Sequence, residues 1–149
     1  MNGDRLDLFV VDDTGSMEMI TLDTSHENAY VLSTWSTQTY NNGWDPVFSI
    51  WSGLFSVLND KTGERAVTMG PSPLPSSFIM FSSDSDPSRL FCESSGTVLY
   101  DGRGDLWSLC TVKERLGRIL LYNASEVVDD SVSITSCTPV QLKVQPMIN

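Results

Sequence analysis

The stretch Leu6-Asp7-Leu8-Phe9-Val10-Val11-Asp12-Asp13-Thr14-Gly15-Ser16-Met17-Glu18-Met19-Ile20-Thr21-Leu22 decides the fold class. Leu6, Leu8 and Val10 alternate with Asp7, Phe9 and Val11, the two-residue period that puts each set on one face of a strand. Met17 to Leu22 forms a second short extended run. Between them Asp12 to Ser16 is polar, and Gly15 tolerates positive φ, so the segment reads as strand, turn, strand.

The same alternation of short apolar runs and turn signals continues along the chain. The runs are Tyr30 to Trp35, Phe48 to Trp51, Leu54 to Leu58, Ala66 to Met69, Ser77 to Phe81, Arg89 to Cys92, Thr97 to Tyr100, Leu106 to Cys110, Arg118 to Tyr122 and Val140 to Val144. Asn42-Gly43, Asp101-Gly102 and Asn59-Asp60-Lys61-Thr62-Gly63 supply turn chemistry between them. Pro71, Pro73 and Pro75 exclude a central strand from Gly70 to Ser76, and Ser82 to Ser88 reads as an exposed loop. No run of ten or more residues has a 3.6 period. The best helical candidate, Val112 to Leu116, is stopped by Gly117 after about one turn. Leu8-Phe9, Leu54-Phe55 and Leu90-Phe91 recur at spacings of 46 and 36 residues. The expectation is one all-β domain over residues 1–149, a β-trefoil-like or similar small closed barrel, with an open β-sandwich as the alternative.

Length and composition fit one globular core. The chain has 149 residues, 40% of them hydrophobic, enough for a single domain. Its formal charge of −10 repels phosphate backbones and anionic lipid, which argues against nucleic acid and membrane surfaces as partners. No apolar run is long enough to span a bilayer, and Met1-Asn2-Gly3-Asp4-Arg5 is too polar for a signal peptide. Polarity comes from 21 Ser and 12 Thr rather than from charge, a composition frequent in extracellular β proteins. The three cysteines, Cys92, Cys110 and Cys137, fit one disulfide plus one thiol outside the cell, or three buried thiols inside it.

Five stretches bear on chemistry. Asp12-Asp13-Thr14-Gly15-Ser16 resembles the D-x-[ST]-G-S metal motif of von Willebrand A domains, which makes Asp12, Thr14 and Ser16 candidate ligands for a divalent cation such as Mg²⁺. A plain hairpin turn is the alternative. Asp13-Thr14-Gly15-Ser16 also matches the Asp-Thr-Gly-Ser loop of aspartic proteases, but no apolar-apolar-Gly segment follows to support it. His26, the lone histidine, sits in a polar stretch and makes a poor catalytic base, and no cofactor motif is present. Arg103-Gly104-Asp105 is an integrin-type tripeptide. Tyr40, Asn42, Trp44 and Asp45 combine aromatic faces with amide and carboxylate groups, the pairing sugars need, and form the candidate glycan site. Trp35 and Trp51 are read as core. Asn123-Ala124-Ser125 is a glycosylation sequon at Asn123.

The last third carries a further likeness. Gly96-Thr97-Val98-Leu99-Tyr100-Asp101-Gly102, Leu106-Trp107-Ser108-Leu109-Cys110, Leu120-Leu121-Tyr122-Asn123 and Ser136-Cys137-Thr138-Pro139-Val140-Gln141-Leu142-Lys143-Val144 resemble the C-terminal region of fungal secreted cell-wall proteins of the PhiA-like and Pir-like kind. That resemblance implies a secreted, non-enzymatic, wall-associated β protein, with Cys110 and Cys137 matching the paired cysteines. The glutamine-rich repeat by which Pir proteins attach to glucan has no counterpart here. The expected function is a cell-wall-associated structural or glycan-binding protein whose partner is a wall polysaccharide. The alternatives are a lectin-like or protease-inhibitor-like trefoil that binds through loops, and a divalent-metal adhesion module.

Overall fold

The computed structural model describes residues 5–24, 30–35, 43–71, 79–82, 88–112, 117–123 and 134–147, with no helix among them. Twelve strands follow the runs picked out by the two-residue period: β1 (Leu6–Asp12), β2 (Met17–Asp23), β3 (Tyr30–Thr34), β4 (Pro46–Trp51), β5 (Leu54–Asn59), β6 (Arg65–Pro71), β7 (Ile79–Ser82), β8 (Phe91–Ser94), β9 (Thr97–Tyr100), β10 (Trp107–Val112), β11 (Arg118–Tyr122) and β12 (Ile134–Pro146). Val112 belongs to β10, and 113–116, the rest of the helical candidate, lie outside the described residues.

The pairings close on themselves. β1 pairs with β12 along its whole length, from Leu6 opposite Pro146 to Asp12 opposite Val140. This closes the run β1-β4-β5-β6-β7-β3-β11-β10-β12 of the antiparallel order into a nine-stranded barrel, with β2, β9 and β8 outside the ring. Closure removes the open edges that an open sandwich would have left.

The twelve strands of the sheet fall into three four-stranded units, β1–β4, β5–β8 and β9–β12. In each, the second and third strands form a pair: β2 with β3, β6 with β7, β10 with β11. The first strand of each unit pairs with the last strand of the unit before it, β5 with β4, β9 with β8 and β1 with β12. First and fourth strands meet inside each unit through Leu6 opposite Phe48, Thr97 opposite Lys143, and a Phe91 N–H to Gly53 C=O bond of 3.1 Å. The third strands β3, β7 and β11 meet one another. This is trefoil connectivity.

The internal repeat differs from the Leu-Phe recurrence. Register aligns Asp12 opposite Val140, Asn59 opposite Pro46 and Tyr100 opposite Phe91. The equivalent segments are therefore Val10-Val11-Asp12-Asp13, Val57-Leu58-Asn59-Asp60 and Val98-Leu99-Tyr100-Asp101, offset by 47 and 41 residues. Val10, Val57 and Val98 are all buried, because each occupies the same inward position. Leu54-Phe55 is one residue out of this register, and Leu90-Phe91 leads into β8, the fourth strand of its unit.

The core runs through the barrel axis. Phe48, Phe55 and Phe81 pack at centroid distances of 5.2–6.2 Å. A chain of edge-on rings then continues from Phe55 through Phe91, Tyr100 and Tyr122 to Trp107, the geometry that aromatic quadrupoles favour. Val31, Cys110, Val112, Ile119 and Leu121 form a smaller cluster beside it. Arg118 and Glu18 form an ion pair that ties β11 to β2. At the β4–β5 turn a Cβ on Gly53 would collide with the Arg89 carbonyl, and its φ of +83° is left-handed as well, so this position tolerates only glycine.

Two sequence expectations change here. Trp35 and Trp51, read as core, are 54% and 51% exposed. Each lies at the end of its strand, Trp35 just past β3 and Trp51 as the last residue of β4. β6 also continues through Gly70 and Pro71, where a strand end accommodates a residue with no N–H.

Candidate functional site

The three units place equivalent turns at one end of the barrel, after β1, β5 and β9. Each turn sits beside a fourth strand and forms a seam between units. The seams differ in what fills them.

At the β4–β5 seam the filler is Asn59, 2% exposed. Its Oδ1 accepts from the backbone N–H of Asp45 and of Lys61, each at 3.1 Å, and its Nδ2 donates to the Gly43 carbonyl at 3.3 Å. One side chain thus locks the entry to β4 against the exit of β5. Trp44 lies under this lock, half-buried against the core and edge-on to Tyr30 at 5.3 Å. Its ring is committed to packing. Asp45 is exposed, whereas Tyr40 and Asn42 lie outside the described residues. Asn59→Ala strips partners from two N–H groups and a carbonyl. The expected loss is roughly 2 kcal/mol, at about 1 kcal/mol per net hydrogen bond with partial rescue by water. Chemical denaturation of the two proteins measures it.

At the β8–β9 seam the filler is aromatic. Tyr100 packs on Phe91 at 4.8 Å and on Tyr122 at 5.1 Å.

At the β12–β1 seam the equivalent residue is Asp12, and the seam is open. A cleft of about 710 Å³ lies there, lined by Val11, Asp12 and Asp13 of β1 and its turn, Thr97 of β9, Gly102 to Asp105 of the β9–β10 loop, and Pro139 to Gln141 of β12. Asp12 and Asp13 of the first motif and Arg103-Gly104-Asp105, 91 residues further along the sequence, thus line one cleft. A small adjoining hollow of about 50 Å³ runs from Asp12 and Ser16 to Glu18 and Arg118.

The chemistry of the walls follows from their hydrogen bonds. Asp12 Oδ1 accepts from Thr14 N–H at 2.9 Å, Thr14 Oγ1–H at 2.6 Å and Ser16 N–H at 3.0 Å. The Thr14 and Ser16 hydroxyls are 3.1 Å apart. The structure therefore brings Asp12, Thr14 and Ser16 together as a hairpin turn organised around one carboxylate oxygen. Among the described residues no group of three or more Cys, His, Asp and Glu is arranged to hold a metal ion. The Thr14 hydroxyl above all holds the Asp12 carboxyl below its ordinary pKa; desolvation, next in size, opposes it, and the Ser16 and Thr14 amides and the Arg118 charge add to the lowering.

On the opposite wall Arg103 donates to Asp105 twice, Nε to Oδ1 at 3.1 Å and Nη2 to Oδ2 at 3.0 Å. The pair lowers the Asp105 pKa and raises that of Arg103. The Arg-Gly-Asp tripeptide is closed on itself, so a receptor that reads both charges has to break this fork first.

The remaining candidates among the described residues lie away from the cleft. Cys110 and Cys137, directly opposite each other in β10 and β12, form a disulfide. Cys92 is a free, exposed thiol on β8. Asn123 ends β11 with φ +57° and its N–H bonded to the Leu106 carbonyl at 2.7 Å, while Ala124 and Ser125 of the sequon lie outside the described residues. His26 does too. The cleft itself escaped sequence reading, because its walls meet only through the β1–β12 closure. The one available signal was the repeat position, which reads Asp12, Asn59 and Tyr100 in the three units. Comparison with protein families, curated proteins and solved structures gives no match to this chain.

Proposed function

We propose that the protein is a secreted, non-enzymatic binding domain of the wall-associated kind, which holds a glycan in the β12–β1 cleft. The single observation that carries this reading is the broken threefold pattern: two seams are filled by Asn59 and by the Tyr100–Phe91 stack, while the third is left open with a mixed lining. Val11, Val140 and Pro139 offer apolar surface for sugar CH groups. Asp13, Gln141, Thr97 and Arg103 offer acceptors and donors for hydroxyls, the few placed polar groups on an apolar wall that small-ligand sites use. Asp12 and Asp105 are both held below the ordinary carboxylate pKa. They stay ionised at neutral pH and serve as acceptors, whereas a general acid needs a raised value. The Cys110–Cys137 bond supports an oxidising compartment.

The reading makes a direct prediction. The protein is retained by at least one insoluble wall polysaccharide among β-glucan, mannan and chitin. Gln141→Ala, a solvent-facing change on β12, weakens that retention by about tenfold, the equivalent of one lost hydrogen bond. No retention on any of the three, or equal retention of the variant, overturns the cleft as the site. Loss on Trp51→Ala instead moves the contact to the exposed ring on β4.

A further inference from the structure

We infer that the cleft selects amine-bearing, cationic saccharides over neutral and acidic ones; this rests on the glycan reading above. The argument is one of charge placement within a shaped cavity. Three carboxylates line the 710 Å³ space, those of Asp12, Asp13 and Asp105, and among its lining residues Arg103 is the one cation. Arg103 is paired with Asp105 through Nε–H and one Nη2–H, two of its five donors, so its charge is balanced within its own wall while its other N–H groups stay free of that pair. Asp12 and Asp13 are left as the negative charges facing the ligand space: of the cations nearby, Arg118 is paired with Glu18, and Lys143, outside the lining, is engaged by the Thr97 hydroxyl at 2.6 Å.

Their orientation is fixed on one side. Thr14 and Ser16 hold Asp12 Oδ1, so the carboxylate is positioned before a ligand arrives, and a preorganised acceptor loses less on binding. The other two seams have neutral residues at the equivalent position, Asn59 and Tyr100. The Asp12 carboxylate therefore stands only where the cavity is open, whereas Asp13 has acidic counterparts at the other seams in Asp60 and Asp101. The rest of the molecule adds to the effect, because a formal charge of −10 steers cations inward and repels uronates and sulfated sugars. The apolar residues Val11, Val140 and Pro139 suit a pyranose ring whose amine faces the acidic wall.

The test is calorimetric titration of the intact protein with three oligomers of equal length: glucosamine, N-acetylglucosamine and galacturonate. About pH 5.5 at low ionic strength keeps both the sugar amine and the protein carboxylates largely charged. Glucosamine oligomer is expected to bind about fivefold to tenfold tighter than its N-acetylated form, the range two exposed charge pairs supply. The uronate is expected to bind weakest. The amine preference is expected to shrink toward unity at about 0.5 M salt. Asp13→Asn is expected to lower the amine-to-neutral ratio to about twofold to threefold, because Asp12 keeps its charge. Glu64→Gln, which removes the same charge on the β5–β6 turn outside the cleft, is expected to leave that ratio as it was. A ratio within twofold of unity in the unmodified protein overturns the inference while leaving glycan binding in place. So does a ratio that Asp13→Asn and Glu64→Gln lower alike, which assigns the preference to net charge alone. If none of the three oligomers binds, this inference falls, and the glycan reading stands or falls with the retention on β-glucan, mannan and chitin.

Discussion

Trp107→Ala is expected to cost about 4 kcal/mol of unfolding free energy, within the range for deleting a large buried aromatic. Trp107 is 1% exposed and ends the aromatic chain, 5.1 Å from Tyr122. Its Nε1–H donates to the Val98 carbonyl at 3.0 Å, so truncation both opens a cavity and leaves a buried carbonyl without its partner. Val98 is a repeat residue of the barrel interior, and the indole therefore ties β10 to β9. A domain of this size has a total stability of about 5–15 kcal/mol, so the loss is a large share and lowers the melting temperature by about 10 °C or more. Trp107→Phe separates the two contributions. It restores most of the volume and omits the donor, with an expected cost of about 1–2 kcal/mol. Urea unfolding of both variants reads the difference. Equal losses in the two would assign the whole effect to the hydrogen bond, and a loss below about 1 kcal/mol in Trp107→Ala would show that the ring is not part of the rigid core.

Removal of the Cys110–Cys137 bond is the second large effect, expected at roughly 3 kcal/mol. The sulfurs close a loop of 27 residues, and the loop-entropy account gives about that figure for the constraint lost from the unfolded chain. The folded state is expected to keep its strand content on reduction, because the β10–β12 ladder continues on both sides, with Leu109 opposite Thr138 and Thr111 opposite Ser136. Stability falls, and the denaturant slope rises as the unfolded chain expands. Cys137 is exposed, so a mild reductant has access to the bond even though Cys110 lies in the small buried cluster. Urea curves with and without reductant, matched by Cys110→Ala/Cys137→Ala, measure the effect. Three free thiols in protein purified without reductant would remove the support for an extracellular location.

The strands were legible because the two-residue period is local. Every extended run of the sequence has a strand over it, and the turns at Asp12–Ser16, Asn59–Gly63 and Asp101–Gly102 fall where the glycines place them. β12 shows the limit. Its alternation is visible from Val140 to Val144, yet the strand runs from Ile134 to Pro146. Its first half is polar and carries Pro139, and it is held by pairing with β10. The repeat was sensed through an unrelated dipeptide. The true one lies in Val10, Val57 and Val98, and in the Ser52-Gly53 and Ser95-Gly96 turns, both with positive φ at the two positions. The tryptophans were misjudged because hydrophobicity sets a preference for burial, while position at a strand end sets the opportunity.

For the candidate site, sequence alone reached the components. It identified Asp12, Thr14 and Ser16 as one polar turn, and Arg103 to Asp105 as a charged loop, but gave no reason to join them. It placed the sugar contacts on Trp44 and Asp45, which lie at the entry to β4, a seam that Asn59 seals.

Short-range pattern therefore determined the strand content, the turn positions and the acidic, cysteine-poor character of the chain, since each depends on neighbours a few residues apart. Which seam stays open, which tryptophans face solvent and which carboxylates share a cavity were decided only by barrel closure. Those properties depend on residues from opposite ends of the chain meeting across β1 and β12, and no local period encodes that meeting.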